Sequence, residues 1–141
     1  MEAERVFEYD IHEEFARFGV KTDATEDTPW KLFPNLAGQV CNTYPSYIAT
    51  CAAFAPENLK IVAAHRVKSR LPVLTFVYKS GGSLWRASAP KNGTGMSKGT
   101  EDENYIKLLK RESNSNVHIF DARPFASSMF NKKPKGRFEK K

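Results

Sequence analysis

The chain has 141 residues, 40% of them hydrophobic, which is enough for one domain with a core and gives no compositional sign of disorder. Its longest apolar run, Ile48 to Pro56, is too short to span a bilayer, and the acidic start Met1-Glu2-Ala3-Glu4-Arg5 lacks the apolar centre of a secretory signal. The net charge of +6 does not mark a nucleic-acid-binding fold: Lys132, Lys133, Lys135, Arg137, Lys140 and Lys141 against Glu139 place +5 of it in residues 131–141.

The first expected element is a helix over Asp10–Phe18. Asp10 is placed to cap it, Glu13 follows three residues on, and Ile11, Phe15 and Phe18 form one apolar stripe that Gly19 ends. Polar residues 21–29 make a loop. Trp30-Lys31-Leu32-Phe33 reads as a short strand halted by Pro34-Asn35. Val40–Tyr44 and Tyr47–Cys51 read as an extended segment bent at Pro45, with a helix over Tyr47–Phe54 left open by the alanines. A helix over Leu59–Arg66 follows, with Pro56 and Glu57 suited to a first turn.

Arg70–Tyr78 is apolar at nearly every position and predicts a central strand covered on both faces, with Pro72 near its start where a missing amide does least harm. Lys79-Ser80-Gly81-Gly82 is a turn into a second strand, Ser83–Ala87. After a glycine-containing loop over 89–99, Thr100 and Glu103 fit a helix cap, and Tyr105, Ile106, Leu108 and Leu109 give the helix to about Arg111 its apolar residues. Val117–Asp121 predicts a last strand. The alternation predicts an α/β layer, a mixed sheet with flanking helices and some antiparallel pairing.

Motifs for chemistry are sparse. A phosphatase thiolate needs an arginine six positions on, but Cys41 meets Tyr47 there and Cys51 meets Glu57. A cytosolic or nuclear context favours two buried free thiols over a Cys41–Cys51 disulfide. His12, His65 and His118 are scattered, with no metal-ligand spacing and no neighbouring catalytic group. Asp121-Ala122-Arg123-Pro124 follows an apolar segment, where α/β proteins place functional loops; a structural ion pair is the alternative.

Several stretches in order resemble the N-terminal part of the myotubularin phosphatase domain. Tyr9-Asp10 with Glu14-Phe15-Ala16-Arg17-Phe18-Gly19 starts the match, which passes through Trp30 and Asn35. Cys41-Asn42-Thr43-Tyr44-Pro45 is similar to the family's Cys-Asp-Thr-Tyr-Pro. Val62-Ala63-Ala64-His65-Arg66, Arg70-Leu71-Pro72-Val73-Leu74, Arg86-Ala87-Ser88-Ala89-Pro90, Glu101-Asp102-Glu103 and Asp121-Ala122-Arg123-Pro124 continue it.

The resemblance implies a protein-tyrosine-phosphatase-like layer and phosphoinositide 3-phosphatase chemistry. It assigns Asn131 to the lipid headgroup, although Pro134, Lys135 and Arg137 depart from the glycine triplet expected beside it. The family's catalytic loop, His-Cys-Ser-Asp-Gly-Trp-Asp-Arg, does not occur in these residues.

The expectation is therefore the front part of such a domain over 1–130 with a basic tail over 131–141. It would be inactive alone, need no cofactor or metal, reside in the cytoplasm or at the membrane periphery, and meet phosphoinositide lipid through the tail. A non-catalytic module binding anionic membranes or an intact myotubularin is the second expectation, and a tail-driven nucleic-acid binder the third.

Overall fold

The computed structural model describes residues 10–20, 29–91 and 99–123. Their elements are α1 (Ile11–Arg17), β1 (Trp30–Pro34), β2 (Tyr47–Cys51), α2 (Pro56–Ala64), β3 (Val73–Val77), β4 (Ser83–Arg86) and α3 (Thr100–Glu112), with 3-10 turns at Leu36–Gly38 and Val67–Ser69. The strands form one sheet in the order β1-β2-β3-β4. The α/β layer is as expected, and every pairing among the described strands is antiparallel. Most of the loop over 21–29, part of that over 89–99, and the tail with Asn131 lie outside the described residues.

The Asp10 carboxylate accepts from the His12 and Glu13 amides at 2.8 and 3.4 Å, and Gly19 takes the positive φ of 77° that ends the turn after α1. β2, rather than a helix, occupies Tyr47–Cys51, because it pairs along its whole length with β1 from Trp30↔Cys51 to Pro34↔Tyr47. Directly opposed residues share a face, so Leu32, Ala49, Leu74 and Trp85 line one side across all four strands. Flat, such a sheet would hold its edges roughly 14 Å apart. The Trp30 and Trp85 rings, on the two edge strands, nonetheless meet edge-on with centroids 5.0 Å apart. The sheet is therefore curled, and the register shift between Leu74 and Phe76 supplies a bend on the β3 side.

Coverage of β3 differs from the expectation. Leu71 to Leu74 are buried, but Thr75 is exposed and Phe76 and Val77 are half-buried. The cause lies in the helices: Tyr105 of α3 donates its hydroxyl to the Pro72 carbonyl at 3.1 Å and packs on Phe54 at 4.7 Å, so α3 reaches only the start of β3. Beyond it, Phe76 is met by Phe18 from α1's end and by Tyr78, at centroid distances of 4.6 and 4.8 Å.

Three local expectations are corrected. α2 has Pro56 and Glu57 in its first turn as expected but stops at Ala64, so Arg66 lies beyond it in extended backbone, φ −107° and ψ 147°. α3 is capped by Gly99, since the Glu103 amide already bonds the Gly99 carbonyl at 2.9 Å and Thr100 is the first helical residue. Val117–Asp121 forms no ladder: it pairs with none of the described strands, and Ile119 and Phe120 are left 83% and 88% exposed.

Candidate functional site

The segment between β1 and β2 is built on one side chain. Asn35 is buried, its Nδ2 donates to the carbonyls of Cys41, Pro45 and Tyr44 at 2.8, 2.9 and 3.4 Å, and its Oδ1 accepts from the Val40 and Cys41 amides at 3.0 and 3.1 Å. An amide side chain is suited to this task because it carries two donors and an acceptor in one plane. The loop so shaped presents Thr43 and Tyr44. The Tyr44 hydroxyl donates to the Leu71 carbonyl at 3.0 Å and tethers the loop to the approach of β3. Burial pushes the Tyr44 phenol up, aided by Cys41, while the charges of Arg86, Arg70 and Arg66 oppose the rise.

A second tie crosses from the end of α2 to α3. The Arg66 guanidinium grips Asp102 through Nε to Oδ1 at 2.7 Å and Nη2 to Oδ2 at 2.8 Å, and its Nη1 donates to the Ser88 carbonyl at 2.9 Å. Both residues are only 8% exposed. Asp102 shares the buried stripe of α3 with Tyr105 and Leu109, so an ion pair occupies a position that helical spacing assigns to the core. The Ser88 hydroxyl donates to Val67 at 2.6 Å and Arg70 at 3.2 Å, fastening the segment after β4 to the turn after α2.

The stretch of sequence that carries Arg66 and Ser88 is basic. Residues 58–100 contain no aspartate or glutamate, yet hold Lys60, Arg66, Lys68, Arg70, Lys79, Arg86, Lys91 and Lys98. A charge balance struck over the whole body hides this segregation; a windowed count reveals it. Lys68 and Arg86 are exposed and Arg70 is half-buried.

The family description "Myotubularin-like phosphatase domain" matches residues 1–141. The chain belongs to that family. It is 34% identical over 136 residues to a myotubularin of Xenopus laevis and 32% identical over the same length to a phosphatidylinositol-3,5-bisphosphate 3-phosphatase, MTMR2, of Bos taurus. Each match covers 93% of this chain but 22% and 20% of the relative, so the chain spans about a fifth of the length of the curated relatives it matches.

The family's motifs in this chain meet in space and are spent largely on one another. Cys41–Pro45 is held by Asn35, Tyr44 by Leu71, Arg66 by Asp102 and Ser88 by the Val67–Arg70 turn. Asn131 lies outside the described residues. Asp121 and Arg123 form an exposed local pair, Nη2 to Oδ2 at 2.6 Å and Nε to Oδ1 at 2.9 Å, with no strand before it. Arg123's side-chain hydrogen bonds, then its backbone amide, hold the Asp121 carboxyl down at about 2. In carbon-13 NMR the Asp121 carboxyl is expected to titrate near that value and to return toward 3.8 in Arg123→Gln; an unmoved midpoint would exclude Arg123 as the cause.

Cys41 and Cys51 are buried free thiols, and burial pushes the Cys51 thiol up, away from the thiolate a nucleophile needs. His12 packs on Tyr47 at 4.5 Å, His65 caps α2 and His118 is exposed. Among the described residues no group of ligands could hold a metal ion, and no helix is long and apolar enough to cross a membrane. A shallow groove of about 540 Å³ beside Phe18, Phe76 and Tyr78 has neither a carboxylate nor a histidine in its lining.

Proposed function

We propose that residues 1–141 are the front part of a phosphoinositide 3-phosphatase domain and scaffold, rather than perform, the hydrolysis. The family match across all 141 residues carries this reading. Neither cysteine has an arginine six positions on, so here the nucleophile and its phosphate cradle come from sequence beyond these residues. Asn131 contacts the lipid headgroup. The basic residues of 131–141 draw the protein to anionic membrane at roughly 1 kcal/mol for each one near the surface. The protein works in the cytoplasm and at the membrane periphery.

The test is a chimera in which residues 1–141 replace the matched stretch of the Bos taurus relative, a phosphatidylinositol-3,5-bisphosphate 3-phosphatase by name. Phosphate release from that lipid is expected, with loss in Asn131→Ala, whereas residues 1–141 alone release none above background. A folded but inactive chimera would sink the reading. Release by the isolated chain would return Cys41 and Cys51 to consideration as nucleophiles. The exposure of Ile119 and Phe120 favours a second reading, a non-catalytic module that binds an intact myotubularin or a phosphoinositide membrane. Capture of an intact myotubularin by the isolated chain, with an inactive chimera, would select it.

A further inference from the structure

Arg66 and Arg70 flank the same 3-10 turn and meet opposite fates. Every nitrogen of the Arg66 guanidinium is engaged, by Asp102 and Ser88. Arg70 is gripped only at Nε, which donates to Thr43 Oγ1 at 2.8 Å. Thr43 is itself oriented. The single Cys41 S–H points to the Lys68 carbonyl at 3.6 Å, so across the 3.3 Å contact the Thr43 hydroxyl donates to sulfur and turns its lone pairs to Arg70. The two Nη groups of Arg70, which form the edge of the fork, have no hydrogen-bond partner among the described residues.

Arg86 stands close by. It lies on β4 opposite Val73, and two residues on, the Ser88 amide bonds the Arg70 carbonyl at 3.0 Å. Both arginines act electrostatically on the one Tyr44 phenol, whose oxygen is 3.5 Å from the Arg86 carbonyl. Arg86 is exposed, and its side chain has no hydrogen-bond or ion-pair partner among the described residues. No carboxylate within 58–100 offsets this pair, and Asp102 is taken by Arg66. Neither guanidinium has an ion-pair partner among the described residues, so an oxyanion that reached both would gain two uncompensated positive charges.

We propose that Arg70 and Arg86 form a binding site for a phosphate group of a phosphorylated ligand, separate from the basic tail. A planar fork fixed at Nε with both Nη groups outward matches two oxygens of a phosphate, and a second guanidinium supplies the remaining charge. The phosphate can arrive on a lipid headgroup or on a soluble compound; both present the same oxygens. The site goes beyond the catalytic reading above, since binding here needs no turnover.

The test titrates the 141-residue chain with inorganic pyrophosphate and, in a second arm, with phosphatidylcholine vesicles with and without phosphatidylinositol 3-phosphate. Arg86→Ala, which removes an exposed side chain with no hydrogen bond or ion pair among the described residues and leaves the backbone contacts in place, is expected to weaken pyrophosphate binding about tenfold or more. Arg70→Lys keeps the charge but loses the fork, and is expected to weaken it as well. Lys107→Ala removes one exposed charge from α3 and serves as the control, since the tail is intact in every variant.

Pyrophosphate binding by Arg86→Ala equal to that of the parent would overturn the proposal, as would equal losses in Arg86→Ala and Lys107→Ala. With the pyrophosphate loss established, a parallel loss on phosphatidylinositol 3-phosphate vesicles assigns the site to a headgroup. Unchanged vesicle binding assigns it to a soluble ligand. Neither arm depends on the chimera's activity, so each reading can fail without the other.

Discussion

Asp102→Ala is expected to lower the unfolding free energy by about 3–5 kcal/mol, because it strands a guanidinium that is buried and bound on all sides. Single domains have roughly 5–15 kcal/mol in total, so the variant is expected to sit near the edge of folding. The pair does more than neutralise charge. Arg66 is the point where α2 gives way to extended chain, Asp102 lies in the first turn of α3, and the third guanidinium contact reaches the segment after β4. Three pieces distant in sequence are thus joined by one side chain.

Urea denaturation of Asp102→Ala beside the double variant Arg66→Met/Asp102→Leu tests this account. The double variant is expected to be the more stable of the two, since nothing charged is then left unpaired. A loss below about 1 kcal/mol in Asp102→Ala, the range of an exposed pair, would mean that the ion pair is solvated in solution and does not hold α3 in place.

What the sequence revealed and what it concealed divide along range of interaction. The Asp10 cap, Pro56 at the first turn of α2, Gly81 in the β3–β4 turn and the antiparallel hairpin itself are local, and each was readable from a few neighbours. Arg66 and Asp102 stand 36 positions apart, and a charge on a helix gives no sign of whether it faces water or a partner. Asn35 read as a strand stop beside Pro34; that it shapes the next ten residues depends on carbonyls only the folded loop brings together. Val117–Asp121 carries a strand's pattern, but a ladder needs a partner, and this segment pairs with neither edge strand, β1 nor β4. The paired arginines were hidden differently, by summing charge over a body whose acids are absent from 58–100.

Asn35→Ala is expected to cost about 3 kcal/mol, because it leaves two amides and three carbonyls of the Val40–Pro45 region without their shared partner, with those of Cys41 buried. Asn35→Asp separates the two halves of the role. It is nearly isosteric and keeps an acceptor for the Val40 and Cys41 amides, but it turns a carboxylate toward carbonyl oxygens where an N–H belongs. Hydrogen exchange at Val40 and Cys41 is therefore expected to accelerate in Asn35→Ala and to stay slow in Asn35→Asp, while the urea midpoint falls in both. Equal exchange in the two variants would show that backbone turns, not the Asn35 side chain, hold the loop. The same loop carries Thr43, which alone fixes Nε of Arg70. Loosening it in Asn35→Ala should thus weaken pyrophosphate binding under conditions where the sheet remains folded, although Asn35 is buried away from the ligand.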